Sequence, residues 1–326
     1  MPAFTFQRHP PGVCTARTDG GQVLPVLDIT HPAFATEVVR ERREDVEEAV
    51  RVEARLFAGL REGERPMRTI HVASALRTYR AKLGDEGLGW ARWFPFLRSA
   101  DGFLAEQIRR RAQSVARLLA AALVAPLSRR PGVPVHLVNI AGGAASDSLN
   151  ALIVLNRDRP FHLMGRALRV HVLDVDPAGP HFAARALTSL RAPGAPLARL
   201  DAELEHTPYD WNEPGRLPAL LAPWRAEDAI LVGSSEGGLL EYCPDALVLE
   251  HLRRLGEGAP SDFALACTAW RGDEVGEAAR ALRGRDQPLR PHTTESVTAL
   301  AERAGWSVQW SEEQNPLHLV FLLRPR

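Results

Sequence analysis

Two kinds of hydrophobic periodicity divide the chain near residue 130. Before it, apolar side chains recur at helical spacing. Val38, Val39, Val46, Ala49, Val50, Val52, Ala54 and Leu56 predict one helix, and Ala73, Leu76, Tyr79 and Leu83 a second. The stretch 102–127, GFLAEQIRRRAQSVARLLAAALVAPL, is rich in Ala and Leu with its one glycine at the start, and predicts a third. Trp90, Trp93, Phe94 and Phe96 lie between the last two and read as packing between helices in preference to a pocket lining. Ahead of the helices, residues 1–34 read as an irregular arm with one extended piece, VLPVLDIT. Asp28, Thr30 and His31 read there as a cap or turn before Pro32.

After the breaker RRPGVP, short apolar runs alternate with helical patterns. Strands are predicted at 135–140, 168–175, more weakly at 197–205, then at 229–233 and 263–270. Helices fit 147–155, 182–190 and 238–255. This is the alternation of a mostly parallel sheet with helices on both faces. The end differs: a helix at 294–304 and Gly305 precede SVQWSEE, a turn at Asn315-Pro316 and LHLVFLLRP, which predicts an antiparallel hairpin.

The stretch VHLVNIAGGAASDSLNA, 135–151, organises the second part. A buried-strand pattern runs into Gly142-Gly143 and then a helical start, with Ser146 and Asp147 as candidate caps. A strand, a glycine turn and a helix N-terminus let backbone approach a ligand closely. The string AGGAASD lacks the G-x-G-x-x-G of a dinucleotide site, and no G-K-[ST] follows as in a P-loop. The next strand ends in LDVDP, placing Asp174 and Asp176 at its carboxyl end, where an acidic side chain can accept hydrogen bonds from ribose hydroxyls. The interval from Gly142 to Asp174 exceeds the usual ~20 residues, and NRDRPFHLMGRA reads as a surface insertion that accounts for the excess.

Composition narrows the function classes. Lys+Arg and Asp+Glu are both 40, and this balance argues against a partner bound mainly through phosphates, DNA or RNA. The 3 cysteines, Cys14, Cys243 and Cys267, are scattered and odd in number, suggesting neither a disulfide framework nor a thiolate zinc site. The start MPAFTFQRHPPG has no basic stretch leading into an apolar run, and no apolar run is long enough to span a bilayer. A cytoplasmic protein is therefore expected, with the choice between monomer and homodimer open. The histidines include no H-E-x-x-H and no close pair, so no metal site is expected.

With these motifs in order, the chain resembles the class I S-adenosylmethionine-dependent methyltransferases. NIAGGAASD occupies the place of that family's first glycine-rich motif, and VLDVDP looks like its second-strand motif. AILVGSSEGGLLEY stands where the family has its substrate-side loop, and the terminal helix and hairpin match its added antiparallel strand. The resemblance covers about residues 135–326. It implies a Rossmann-like seven-stranded methyltransferase sheet with an antiparallel last strand over 131–326, joined to an N-terminal arm and helical cap subdomain over 1–130. It also implies S-adenosylmethionine as cofactor and a small molecule as methyl acceptor. The cofactor would meet Asn139, Ala141, Gly142, Gly143, Ser146, Asp147, Asp174, Val175 and Ser234, with His206 and Tyr209 from LEHTPYDW near the adenine. The chain departs from the family at Asn139, where many members are acidic, and in having two adjacent glycines. Glu236 is a candidate to bind or deprotonate an acceptor, and His206 a second candidate acid or base. Trp270 is placed beside the acceptor, with Tyr79, Arg80, Trp90 and Trp93 closing over it.

Two other readings compete. Gly233-Ser234-Ser235-Glu236-Gly237 matches G-x-S-x-G at the end of a strand, the context of a nucleophile elbow. Ser235 would then be an esterase nucleophile, with Asp262 or Asp245 and His292 or His318 completing a triad. That reading leaves AGGAASD and LDVDP without a role, and Ser235 serves equally well as a helix cap. The atypical glycine loop also keeps open a non-catalytic binding protein on the same fold.

Overall fold

The computed structural model describes residues 13–17, 23–27 and 103–326, apart from 176, 275, 277–288, 313–314 and 316. The helices expected before residue 100, the aromatic cluster at 90–96, the residues Asp28, Thr30 and His31, and Asp176 lie outside these residues.

The first two strands, β1 (Val13–Arg17) and β2 (Val23–Leu27), pair antiparallel, with Cys14 opposite Val26. The arm thus contains a hairpin where one extended piece was expected. Gly20-Gly21 stands between the strands, and Pro25 is tolerated because a two-stranded ribbon is all edge. Helix α1 (Phe103–Arg129) leads through Gly132, in a left-handed conformation, into β3 (Val135–Ile140). There follow α2 (Ser146–Asp158), β4 (Ala167–Asp174), α3 (Ala178–Leu190) and β5 (Asp201–Pro208). Next come α4 (Leu217–Ala226), β6 (Ile230–Ser235), the short α5 (Leu239–Tyr242), α6 (Asp245–Gly258) and β7 (Ala264–Arg271). The chain closes with β8 (Pro291–His292), α7 (Thr294–Arg303), β9 (Trp306–Glu312) and β10 (His318–Pro325).

The main sheet runs β5-β4-β3-β6-β7-β10-β9, with the two-residue β8 extending it beside the end of β7. Strands β3 to β7 are parallel, and β10 is antiparallel to both neighbours. This is the Rossmann-like sheet with an antiparallel last strand that the sequence led us to expect. Strand β3 is third in this order and central among the five parallel strands, and it is buried along its whole length, which explains its mostly apolar character.

Alternation along the strands divides the core in two. Leu137, Val170 and Val232 pack with α1, α2 and α3 on one face, whereas Val138, Ile140 and Leu231 pack with α4 to α7 on the other. Helix α1 falls in the part read as a cap, yet its stripe of Ala112, Val115, Leu119, Leu123 and Leu127 shares the first core with β3. Burying each of the larger side chains contributes about 2 kcal/mol. The helix is therefore a layer of the α/β body.

Candidate functional site

The carboxyl ends of parallel strands, where neighbouring connections diverge, form the natural cleft of such a sheet. Here the ends of β3, β4, β5 and β6 bring together the glycine loop, Asp174, His206 and Ser234. The loop after β3 extends the ladder by one bond, Ala141 N–H to the Leu173 carbonyl at 2.8 Å, and then turns sharply. Ala141, Gly143 and Ala145 all have left-handed backbones, at φ 54°, 54° and 47°. For the two alanines this conformation costs about 1 kcal/mol each, and the strain is concentrated at this turn.

Position 142 must be glycine for a different reason. A Cβ there would stand 1.9 Å from Asn139 Oδ1. Asn139, fully buried at the end of β3, turns its side chain under the loop. Its Nδ2 donates to Asp147 Oδ1 at 2.8 Å and to Ser234 Oγ at 3.1 Å, with Ser148 Oγ a longer contact at 3.4 Å. Asn139 Oδ1 has no hydrogen-bond partner although it is buried, and the same holds for Ser146 Oγ. A buried carbonyl oxygen without a donor is costly unless something else supplies one.

The expected caps are not caps. Helix α2 begins at Ser146 with Ala145 in the cap position, where the side chain makes no cap hydrogen bond. Asp147 lies buried within that first turn, a favourable place for a carboxylate near the positive end of the helix dipole.

On the neighbouring strand, Asp174 Oδ2 accepts the Gly143 N–H at 3.0 Å, drawing the glycine loop to the end of β4. His206 stands beside it on β5, its Nε2–H donating to the Asp174 carbonyl at 2.8 Å, with the His181 ring of α3 edge-on to it. Val175, the next residue after Asp174, is 70% exposed. Tyr209 is tied to the site through its backbone, whose N–H donates to the Asp174 carbonyl at 3.2 Å, while its ring is in the core shared with α4 to α7 and its hydroxyl meets His251 Nε2 at 3.1 Å. Burial raises the Tyr209 pKa, so the phenol stays protonated, and burial lowers that of His251.

Beyond β6, the connection Glu236–Tyr242 carries a charged cluster that the sequence reading did not anticipate. Arg111 of α1 donates from Nε to Glu236 Oε1 at 2.5 Å and from Nη1 to Glu241 at 2.9 and 3.2 Å. All three side chains are buried. Burial opposes the Arg111 charge, but the Glu236 and Glu241 carboxylates more than offset it, and its pKa is raised. Thr268 of β7 donates to Glu241 Oε1 at 3.0 Å and accepts the Gly237 N–H at 2.8 Å. One signal was available in the sequence: Arg111 stands four residues before Val115 and eight before Leu119, on the buried stripe of an otherwise apolar face.

Ser235 does what a cap does. Its buried Oγ accepts the Leu239 N–H at 3.0 Å. His292 Nδ1 meets Ser296 Oγ, and His318 Nδ1 meets Asn315 Oδ1. No histidine hydrogen-bonds Ser235 among the described contacts, so no triad is assembled there. Trp270 is a core residue, its Nε1 donating to the Gly276 carbonyl and its ring edge-on to His318. Among the described residues there is no group of three metal-ligating side chains and no helix long and apolar enough to cross a membrane.

No protein-family model and no curated protein matches the chain. Solved structures do. A possible exported protein from Bordetella parapertussis is 18% identical, with 87% of this chain and 97% of that one aligned at a TM-score of 0.50. A magnesium protoporphyrin IX methyltransferase from Synechocystis PCC 6803, solved with bound SAH, is 12% identical over 79% and 98% of the two chains, with a TM-score of 0.48. The 1,6-didemethyltoxoflavin-N1-methyltransferase of Burkholderia thailandensis is 17% identical over 66% and 78%, with a TM-score of 0.40. At these identities the likeness is one of fold.

Proposed function

We propose that the chain is an S-adenosylmethionine-dependent methyltransferase acting on a small molecule. The observation that carries this reading is the bond from Gly143 N–H to the Asp174 carboxylate. It sets an acidic group at the end of the second parallel strand directly against a glycine turn and an uncapped helix start. That combination suits a nucleoside with an attached amino acid. A carboxylate such as Asp174 is a strong acceptor of the kind that ribose hydroxyls donate to. The N-terminus of α2, which has no side-chain cap at Ala145, suits a carboxylate. Asn139 Oδ1 and Ser146 Oγ, buried without partners, suit an ammonium or hydroxyl donor. Gly142 leaves the space that the turn needs.

S-adenosylmethionine supplies an activated methyl group on a sulfonium, and the protein's share of such a transfer is alignment and exclusion of water. His206 belongs to the ribose side of this site, since its Nε2 is held by the Asp174 carbonyl. Glu236 is engaged by Arg111, which favours a structural part over that of a base. The balanced net charge favours a small acceptor over a nucleic acid. Ser235, occupied as a cap, leaves the esterase reading unsupported.

Calorimetric titration of the full chain with S-adenosylmethionine and S-adenosylhomocysteine tests the proposal. Binding is expected, and Asp174→Ala should weaken it about a hundredfold, the worth of one or two hydrogen bonds to a charged acceptor. Absence of binding by the natural chain would overturn the reading. Binding with no methyl transfer to any of a panel of small acceptors would favour the non-catalytic alternative.

A further inference from the structure

The charged cluster beyond β6 is built like a clasp. Its bonds run from Glu236 to Arg111, from Arg111 to Glu241, from Glu241 to Thr268 and from Thr268 to the backbone of Gly237, the residue after Glu236. The ring ties one short connection to a helix on one side of it and to β7 on the other. A guanidinium suits this because its Nε and Nη donors form a rigid fork that holds two carboxylates in fixed relative positions.

The connection has no slack around the clasp. Gly237 has φ +74°, and a Cβ there would come within 2.6 Å of Arg111 Nη2. One residue on, a Cβ at Gly238 would come within 3.1 Å of both Cβ and the carbonyl oxygen of Ala141. Ala141 is the first residue of the glycine loop, held in a strained left-handed conformation. The clasped connection therefore lies directly against the start of that loop. It approaches from the β6 side of β3, whereas Asp174 and His206 approach from the β4 and β5 side.

We infer that Arg111 is a positioning residue for the cofactor site: through Glu236, Glu241 and Thr268 it fixes the connection after β6 against Ala141, and so sets the half of the site that receives the amino-acid end of the cofactor. This rests on the methyltransferase reading and extends it, since it makes α1, a helix preceding the whole sheet, part of the site. The nucleoside half is held by other strands and does not depend on the clasp.

The test separates the two halves of the ligand. S-adenosylhomocysteine carries nucleoside and amino acid, and 5′-methylthioadenosine carries the nucleoside with its sulfur alone. Both are titrated against the full-length natural chain, Thr268→Val, Gly237→Ala and Arg111→Lys, with thermal unfolding measured in parallel. Thr268→Val removes the two links made by the hydroxyl, to Glu241 and to the Gly237 N–H, and keeps the volume. Gly237→Ala keeps every charge and presses a methyl on the guanidinium. Arg111→Lys keeps the charge without the fork. Each variant is expected to lose about tenfold in affinity for S-adenosylhomocysteine, the scale of a misplacement of a fraction of an ångström, while its affinity for methylthioadenosine stays within about twofold. Arg111→Lys should retain more affinity than Arg111→Met, in which two buried carboxylates lose their partner. If Arg111→Met does not fold, the three milder variants carry the result. Equal losses for both ligands would mean that the clasp only maintains the fold, and unchanged affinity for both would remove its role altogether. Either outcome overturns the inference while leaving the cofactor reading intact. Failure of the natural chain to bind S-adenosylhomocysteine would overturn both.

Discussion

Strand β3 carries two buried polar side chains on opposite faces, and each is the centre of a different kind of cluster. His136 points to the face covered by α4. There it stacks on His171 with ring centroids 5.0 Å apart, bonds to it between Nδ1 and Nε2 at 2.7 Å, and is covered with it by Trp224. The outer ring nitrogens face carboxylates at the surface, Glu227 and Glu205, each at 3.4 Å. Asn139 points to the other face. Its neighbours are Asp147, Ser148 and Ser234, its own oxygen has no partner, and the chain above it is strained at two alanines. Both clusters are buried and polar, so burial does not distinguish a site from a structural part. The histidine cluster bonds its two inner nitrogens to each other, leaves the outer two without a hydrogen-bond partner but facing carboxylates, and lies over regular strands. The asparagine cluster also holds unspent polar atoms, but beneath a turn that is costly to maintain, and it is this strain that separates the two and supports placing the proposed site there.

The largest expected effect comes from making the asparagine cluster look more like the resembled family. Asn139→Asp would place a second carboxylate within hydrogen-bond distance of Asp147 Oδ1, now 2.8 Å from the Asn139 amide. Two buried like charges that close cannot both stay ionised, and a buried, uncompensated charge costs about 3 kcal/mol. Urea unfolding at pH 7 should show that loss, with partial recovery toward pH 5 as the pair takes up a proton. An unchanged midpoint would mean that the cluster is looser than its geometry indicates.

The histidine cluster predicts a smaller effect of opposite character. Burial, with His136 and Arg169 adding to it, lowers the His171 pKa from 6.5 to about 3, and burial also lowers that of His136. The unfolded chain therefore binds protons below pH 6.5 that the folded chain refuses, so stability is full above that pH and falls as the pH drops toward 3. Glu205 and Glu227 face the pair and Arg169 lies beside it, the first two working for protonation and the last against it. Between pH 7 and pH 5 His171 alone accounts for about 2 kcal/mol of lost stability. Replacing both histidines, His136→Leu with His171→Leu, should flatten the stability–pH curve by about that much and leave cofactor affinity unchanged. A curve with the natural slope would refute the assignment.

Such contrasts show where the sequence was informative. Buried strands declare themselves by apolar runs, and the expected strand at 135–140 is the observed β3. The third strand was displaced to β5 (Asp201–Pro208) because Leu197 and Leu200, buried in turns before it, imitate a strand start. Helix α4 went unrecognised because Pro218 and Pro223 disguise it, although the first falls in the opening turn, where proline is tolerated. The helix expected over 238–255 is broken at Pro244, with Cys243 extended before it. In the site, the glycine turn and Asp174 were legible because local chemistry requires them. The clasp was not, because Arg111 and Glu236 are 125 residues apart and meet only when α1 docks on β6 and β7.

The strained loop offers the finest test of the contrast between the two clusters. Ala141 and Ala145 share a left-handed backbone, yet their surroundings differ. Ala141 is partly exposed, whereas Ala145 is fully buried in the core that includes α1 and α2. Substituting glycine relieves about 1 kcal/mol of strain at either position, against roughly 0.4–1 kcal/mol of added unfolded-state entropy. Only at position 145 is a buried methyl also lost, worth about 0.8 kcal/mol. Ala141→Gly should therefore be neutral to slightly stabilising and Ala145→Gly slightly destabilising, a separation of about 1 kcal/mol or less in urea midpoints at constant slope. Ala141→Gly should also weaken S-adenosylhomocysteine binding, since a glycine there no longer holds the turn in one conformation before the ligand arrives. Stability that rises while affinity falls is the behaviour of strain kept for function. If both quantities rise together, the left-handed alanines serve the packing of the loop alone.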